Sequence, residues 1–319
     1  EEEMTSLYKD MELPLVEVLA SMEYVGINTD EAVLDEIDEK ITLKLKDLEE
    51  EIYREAEEEF NINSPKQLGV ILFEKMDFPV IKKTKTGYST SADVLEKLRG
   101  KGKIIDNILD YRKFSKLKST YIDGLKAVIN KKTNRIHSRI MQTVTATGRI
   151  SSSEPNLQNI PIKTEEGRLI RKAFLASENS ILVDADYSQI ELRVLAALSE
   201  DKEMLDAFKH GLDIHRKTAS EVFHVDYDDV TALQRSEAKA VNFGIVYGIS
   251  DYGLSQNLNI PKKAAKEYID NYLGHFVGIK NYMSEEIEEG KKKGYVETIF
   301  KRRRYIPCLL YTSPSPRDS

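Results

Sequence analysis

The chain has 319 residues, 40% hydrophobic and 32% charged, enough for a sizeable core and for two or three domains. Its single cysteine, Cys308, excludes an internal disulfide and any multi-cysteine metal site. No apolar run reaches the length of a membrane span, and the opening Glu1-Glu2-Glu3-Met4 is the opposite of a signal peptide. The expectation is therefore a cytoplasmic protein without a membrane partner, and its net charge of −7 argues against nucleic acid until the distribution of that charge is followed.

Residues 1–60 are dense in acid, as in Glu49-Glu50-Glu51 and Glu57-Glu58-Glu59. Within them Leu34, Ile37, Ile41, Leu45, Leu48 and Ile52 recur at spacings of three and four, which predicts one long helix over 31–60. Asn28-Thr29-Asp30 supplies its capping candidates. Ser64-Pro65-Lys66-Gln67 has a capping-box pattern with proline at the first helical position, and Thr90-Ser91-Ala92-Asp93 opens a third helix. Tyr111 to Ile129 reads as a basic helix ending in a polar turn from Asn130 to Asn134. Across 111–150 the charge reverses. Arg112, Lys113, Lys116, Lys118, Lys126, Lys131, Lys132, Arg135, Arg139 and Arg149 stand against Asp123 alone. A local basic region is what phosphate binding requires; the plainer alternative is a solvated basic helix face.

Ile136 to Val144 reads as extended. Ile181-Leu182-Val183 reads as a short buried strand, followed by a helix from Ser188 through Leu198. That placement puts Asp186 at a strand end, where a carboxylate is held rigidly. From Asp201 to Lys293 the pattern is helical, interrupted at Gly211, Gly248 to Gly253 and Pro261. Val296 to Ile299 and Arg303 to Ile306 predict a hairpin across Phe300-Lys301-Arg302.

The most informative run is Arg235-Ser236-Glu237-Ala238-Lys239-Ala240-Val241-Asn242-Phe243-Gly244-Ile245-Val246-Tyr247-Gly248. Arg235, Lys239, Phe243 and Tyr247 recur at four-residue spacing, which aligns them along one helix face. Two cations come first and two rings follow, over about 18 Å at the usual helical rise. That length holds a triphosphate at one end and a sugar and base at the other. Arginine suits phosphate through its planar fork and lysine as a point charge. The bland alternative buries Phe243, Ile245, Val246 and Tyr247 in a core, but leaves both cations on that face unexplained.

This run resembles the fingers-helix motif R-x3-K-x3-F/Y-x3-YG of family A (polymerase I type) DNA polymerases. Val183-Asp184-Ala185-Asp186-Tyr187-Ser188-Gln189-Ile190-Glu191-Leu192-Arg193 contains that family's D-Y-S-Q-I-E-L-R without a mismatch. Thr145-Ala146-Thr147-Gly148-Arg149-Ile150-Ser151-Ser152, followed by Pro155-Asn156-Leu157-Gln158-Asn159-Ile160-Pro161, resembles its primer-template segment. The three occur in the family's order, and the likeness runs from about Leu13 to Pro307.

The resemblance implies a mostly helical α+β right-hand fold with an incomplete palm sheet. It divides the chain into a lead-in at 1–30, a helical thumb at 31–130, the first part of the palm at 131–190, fingers at 191–307 and a non-family tail at 308–319. It implies DNA-directed DNA polymerase activity, in replication or repair, by a monomer close to the bacterial nucleoid. The partners are primer-template DNA and deoxynucleoside triphosphates, and the cofactor is two Mg²⁺ ions, with Mn²⁺ as a substitute. Asp186 and the Tyr187 carbonyl are the implied metal ligands, with Asp186 and Lys239 catalytic. Arg235, Lys239, Phe243, Tyr247, His215, Gln189 and Glu191 face the nucleotide. Glu191 sits beneath the sugar and excludes a 2′-hydroxyl, and Phe243 is associated with rejection of dideoxynucleotides. Arg149, Asn156, Gln158, Lys116 and Lys118 are the implied DNA contacts, where minor-groove acceptors common to all pairs test geometry without reading sequence.

Three departures from the family pattern stand out. The family usually has glycine about where Lys301 stands, which bears on the geometry of the turn and not on function. Its His-Asp-Glu triplet, which supplies the second metal-bridging carboxylate, is not in this sequence and would lie beyond Pro307. No acidic motif set for a proofreading exonuclease is present. The sequence as given is therefore expected to polymerise poorly or not at all, since one carboxylate cannot bridge two metals, and to bind primer-template and nucleotide without turnover as the alternative. A single-subunit RNA polymerase of the phage type fits less well, because that group usually has Gly at the position of Glu191 and Met at that of Phe243.

Overall fold

The apolar stripe predicted over 31–60 forms a helix from Glu31 to Ala56, opened by the Asp30 carboxylate, which accepts from the Ala32 amide at 2.9 Å. The chain leaves it at Glu57, whose backbone is left-handed (φ 58°). One helix serves two cores. Leu34, Ile37, Ile41 and Leu48 pack with Phe114, Leu117, Ile122 and Ile170, while Ile52 packs with Leu68, Leu72, Leu95 and Ile105. The computed structural model describes residues 3–85, 87–162 and 164–307; the expected tail at 308–319 lies outside them. The chain forms two compact units, Glu1–Val183 and Asp184–Ser319.

In the first unit the helix at Pro65–Val70 starts as predicted, with the Ser64 hydroxyl accepting from the Gln67 amide at 3.4 Å. The capping box does not close. The Ser64 amide already donates to the Asn61 carbonyl at 2.9 Å, and the Gln67 side chain accepts instead from the Asn61 amide at 2.7 Å. A short helix follows at Ala92–Glu96. The basic helix begins earlier than expected, at Lys103, and runs to Lys116; wider turns continue over Leu117–Asp123 to a last turn at Gly124–Lys126. A small antiparallel sheet sets Ile27–Thr29 between Arg135–Ile136 and Phe174–Leu175. Gly26 (φ 62°) enters it, and a Cβ there would stand 2.6 Å from the Ile136 carbonyl oxygen, so only glycine fits. The predicted extended run 136–144 is broken. Only Arg135–Ile136 and Arg139–Met141 are strand, the latter paired with Ser151–Ser153.

The predicted strand Ile181-Leu182-Val183 does not form. Its side chains are 83%, 60% and 79% exposed. A strand exists through hydrogen bonds to a neighbour, and among the described residues this segment pairs with none.

The second unit is a helical assembly: Ile190–Ser199, Lys202–Lys209, Ile214–Phe223, Ala232–Val246, Asp251–Leu258, Lys262–His275 and Val277–Lys293. Leu192, Ala196, Met204, Ile214, Val241, Ile245, Leu254, Tyr272, Phe276 and Ile279 form its core. Two breaks were not foreseen, at His224 to Thr231 and at Phe276, and Gly253 lies inside a helix rather than between helices. His224 turns left-handed (φ 55°), and Phe276 is anchored in the core, where it caps one helix and starts the next. The hairpin pairs Tyr295–Glu297 with Arg303–Tyr305. Lys301 takes φ 65° there, the left-handed conformation that glycine adopts more readily. The molecule is thus mostly helical α+β, and among the described residues its sheets have two or three strands.

Candidate functional site

The helix Ala232–Val246 is opened by a closed capping box between Thr231 and Gln234. Its core face is Ala238, Val241, Asn242 and Ile245, all buried. Arg235, Lys239 and Phe243 lie on a different face, half-buried or exposed, and Tyr247 is 61% exposed. The line of four is therefore not the core stripe, although Ile245 of the bland reading is buried in the core and Val246 packs against it. The helix ends in a Schellman arrangement: Gly248 (φ 68°) donates to Ile245 at 3.0 Å and Ile249 to Gly244 at 2.8 Å. A Cβ on Gly244 would meet Ile249 Cγ2 at 2.6 Å. Tyr247 thus stands at the helix terminus rather than on its last turn.

The face gathers further residues from the neighbouring helix Ile214–Phe223. Lys239 Nζ lies 5.9 Å from the centre of the Phe243 ring, and the His215 ring lies 5.8 Å from it. Arg235 Nε donates to Asp213 Oδ2 at 2.7 Å. The other Asp213 oxygen accepts from the amides of His215 (3.0 Å) and Arg216 (3.2 Å), capping that helix. Burial raises the Asp213 carboxyl, but Arg235 and the two amides more than reverse this and hold it below the usual range. Burial pushes His215 down to about 4; Asp213 opposes the shift, and Arg235 and Lys239 add to it. His215 is accordingly neutral at neutral pH. Its Nδ1 is 3.1 Å from Asn242 Nδ2, and Asn242 is in turn bonded to Thr218. Sequence reasoning gave no role to Asp213, Asn242 or Thr218. The position of Asp213 before a helix start was a readable capping signal, but its bond to Arg235 spans 22 residues.

Asp184, Asp186 and Tyr187 are exposed in an irregular segment, and the helix begins at Ile190 rather than Ser188. Asp186 is thus not at the end of a buried strand. Gln189 makes the turn into the helix with a left-handed backbone (φ 55°), and Glu191 is half-buried in its first turn. Arg193 pins the turn, donating from Nε to the Ser188 carbonyl at 3.0 Å with its guanidinium 4.6 Å from the centre of the Phe208 ring. No group of three or more His, Cys, Asp or Glu side chains suited to a metal occurs among the described residues. The exposed Asp186 carboxylate is open to a hard cation that takes one or two protein carboxylates and completes its shell elsewhere.

In the first unit the expected DNA contacts are spread over separate elements. Arg149 is exposed in the loop between the strands Arg139–Met141 and Ser151–Ser153. Gln158 holds that hairpin, accepting from the Ser152 amide (3.2 Å) and donating to the Ile150 carbonyl (3.1 Å). Asn156 caps the turn Leu157–Asn159 through a 3.0 Å bond from the Gln158 amide. Lys116 is exposed, while Lys118 is engaged by Asp38 and, at 3.2 Å, by Asp123.

A family model described as DNA polymerase family A matches residues 31–318. DNA polymerase I of Bacillus subtilis (strain 168) is 58% identical over 304 residues, which are 95% of this chain and 34% of that protein. DNA polymerase I of Geobacillus stearothermophilus is 56% identical over 308 residues, 96% of this chain and 35% of that protein. The chain thus spans about a third of the length of these relatives. Among solved structures, the POL domain of Pol1 from M. smegmatis, in complex with DNA primer-template and dNTP, superposes with a TM-score of 0.88 at 41% identity, covering 98% of this chain and 55% of that one. This chain belongs to DNA polymerase family A.

Proposed function

We propose that this chain supplies the thumb (31–130), first palm (131–190) and fingers (191–307) segments of a DNA-directed DNA polymerase, and that the Ala232–Val246 helix holds the incoming deoxynucleoside triphosphate. The observation that carries this is the separation of faces on that helix: Arg235, Lys239 and Phe243 stand off the core stripe, with His215 brought against the Phe243 ring. Arg235 and Lys239 bind the phosphates, and neutral His215 offers a hydrogen bond without a further charge. Phe243 and Tyr247 flank the sugar and base, and Glu191 and Gln189 lie at the start of a helix that shares the core of Ala232–Val246. Asp186 and the Tyr187 carbonyl would hold Mg²⁺, which supplies charge to the attacking and leaving oxygens. Primer-template DNA is held by Arg149, Lys116 and the hairpin that Gln158 and Asn156 order.

A second reading, binding without turnover, is favoured by the acid inventory: among the described residues no group of three or more His, Cys, Asp or Glu side chains suited to a metal occurs. One pair of assays decides. A gel shift of primer-template with and without the next correct nucleotide is run beside primer extension in Mg²⁺. Nucleotide-dependent stabilisation of the shifted complex, reduced about tenfold or more by Lys239→Ala through loss of a charge-assisted bond, supports the nucleotide site. Extension separates the first reading from the second. Nucleotide stabilisation that Lys239→Ala leaves unchanged would remove this helix from the site.

A further inference from the structure

The two cations on the nucleotide face differ in their surroundings. Lys239 makes no ion pair among the described residues, whereas Arg235 is paired with Asp213 at 2.7 Å. Asp213 is the fixed partner. Its Oδ1 is committed to the amides of His215 and Arg216, and its own amide donates to the Tyr227 hydroxyl at 3.1 Å. Arg235 is long and half-exposed, and only its Nε is engaged, so its terminal nitrogens make no hydrogen bond among the described residues. A phosphate can therefore reach the guanidinium fork without dislodging the carboxylate. It then lies next to an anion that cannot swing away.

Resting on the phosphate-binding reading above, we propose that Asp213 is a resident counter-ion of the nucleotide site, which neutralises Arg235 and thereby sets the affinity for polyphosphate. The charge on Arg235 is shared between Asp213 and the ligand, and Asp213 repels the ligand directly. Its second task, capping the Ile214–Phe223 helix, explains why the acid is placed there and how it is kept in place. The two tasks separate chemically. Asn and Ser cap helices about as well as Asp but carry no charge.

The test is calorimetric titration of the whole chain with inorganic tripolyphosphate, at low and at moderate salt. Asp213→Asn is expected to bind about two- to fivefold tighter, the size of a half-exposed ion pair, and Asp213→Ser to do the same. The gain should shrink as salt rises. Arg235→Ala should bind more weakly than the parent, and adding Asp213→Asn to it should restore little. Weaker binding by both Asp213 variants, with unchanged thermal midpoints, would overturn the proposal by showing that Asp213 orients Arg235. An equal gain with and without Arg235 would overturn it too, since Asp213 would then act by its field alone. If Arg235→Ala itself leaves binding unchanged, the phosphate-binding reading fails and the counter-ion role falls with it, a result distinct from the other two.

Discussion

In the first unit the cations of the basic stretch face the acidic helix Glu31–Ala56. Lys118 meets Asp38, Lys126 meets Asp35 at 2.5 Å, Lys131 meets Glu31 at 2.6 Å, and just upstream Lys103 meets Glu51 at 2.9 Å. In the second unit the two cations of the Ala232–Val246 helix make one ion pair among the described residues, Arg235 with Asp213. The longer basic run thus carries much of its charge in internal pairs, while the shorter one leaves Lys239 available. A count of like charges along a sequence measures neither, because the counter-charges arrive from other elements, 80 residues away for Lys118 and Asp38, 100 for Lys131 and Glu31, and 22 for Arg235 and Asp213. Phosphate binding depends on the charge that remains after such pairing.

The largest expected effect contrasts the acid sensitivity of the two units. In the second unit His215 stays neutral down to about 4, whereas an unfolded imidazole takes its proton near 6.5. The folded form is therefore penalised as pH falls from 6.5 toward 4, by about 3 kcal/mol. In the first unit burial raises the Asp38 carboxyl, but Lys118 and Lys126 more than reverse this and bring it below its ordinary value of 3.8. Its contribution is intact above about pH 4 and is lost only as pH falls through the lowered value. Hydrogen exchange, corrected for intrinsic rates, should show protection in Ile214–Phe223 dropping between pH 7 and 4.5 while that in Glu31–Ala56 holds. His215→Gln should remove the drop. Parallel loss in both units would break the contrast.

A smaller effect tests the internal pairing directly. Lys118→Ala should destabilise the first unit by about 1 kcal/mol, as expected for a partly buried ion pair, and leave tripolyphosphate binding unchanged. Denaturant midpoints followed beside the titration would show whether both hold. The smallest effect concerns DNA. Lys116, exposed and in no ion pair among the described residues, should lower the slope of log affinity against log salt by about 0.9 when changed to Ala. Lys118→Ala should leave that slope where it is. If the two variants change it equally, Lys118 exchanges Asp38 for phosphate on binding, and the comparison must be redrawn in terms of exchangeable pairs.

By itself the sequence determined what local rules control. The stripe from Leu34 to Ile52 and the cap at Asp30 gave the long helix, Ser64 and Pro65 gave the next start, and the spacing of Arg235, Lys239 and Phe243 gave a shared face. Helical period and capping depend on neighbours within four residues, so they are readable directly. The family motifs were legible for the same reason, as fixed residue types at fixed spacing. Only the tertiary structure decided that Ile181-Leu182-Val183 has no sheet to join among the described residues, since a strand is defined by a partner that its own sequence does not specify. It alone decided that Gln67 turns to Asn61, that Lys118 is taken by Asp38 and that Arg235 is held by Asp213. Hydrogen bonds and ion pairs between distant segments depend on packing that brings their carriers within about 3 Å, and no local pattern encodes that distance.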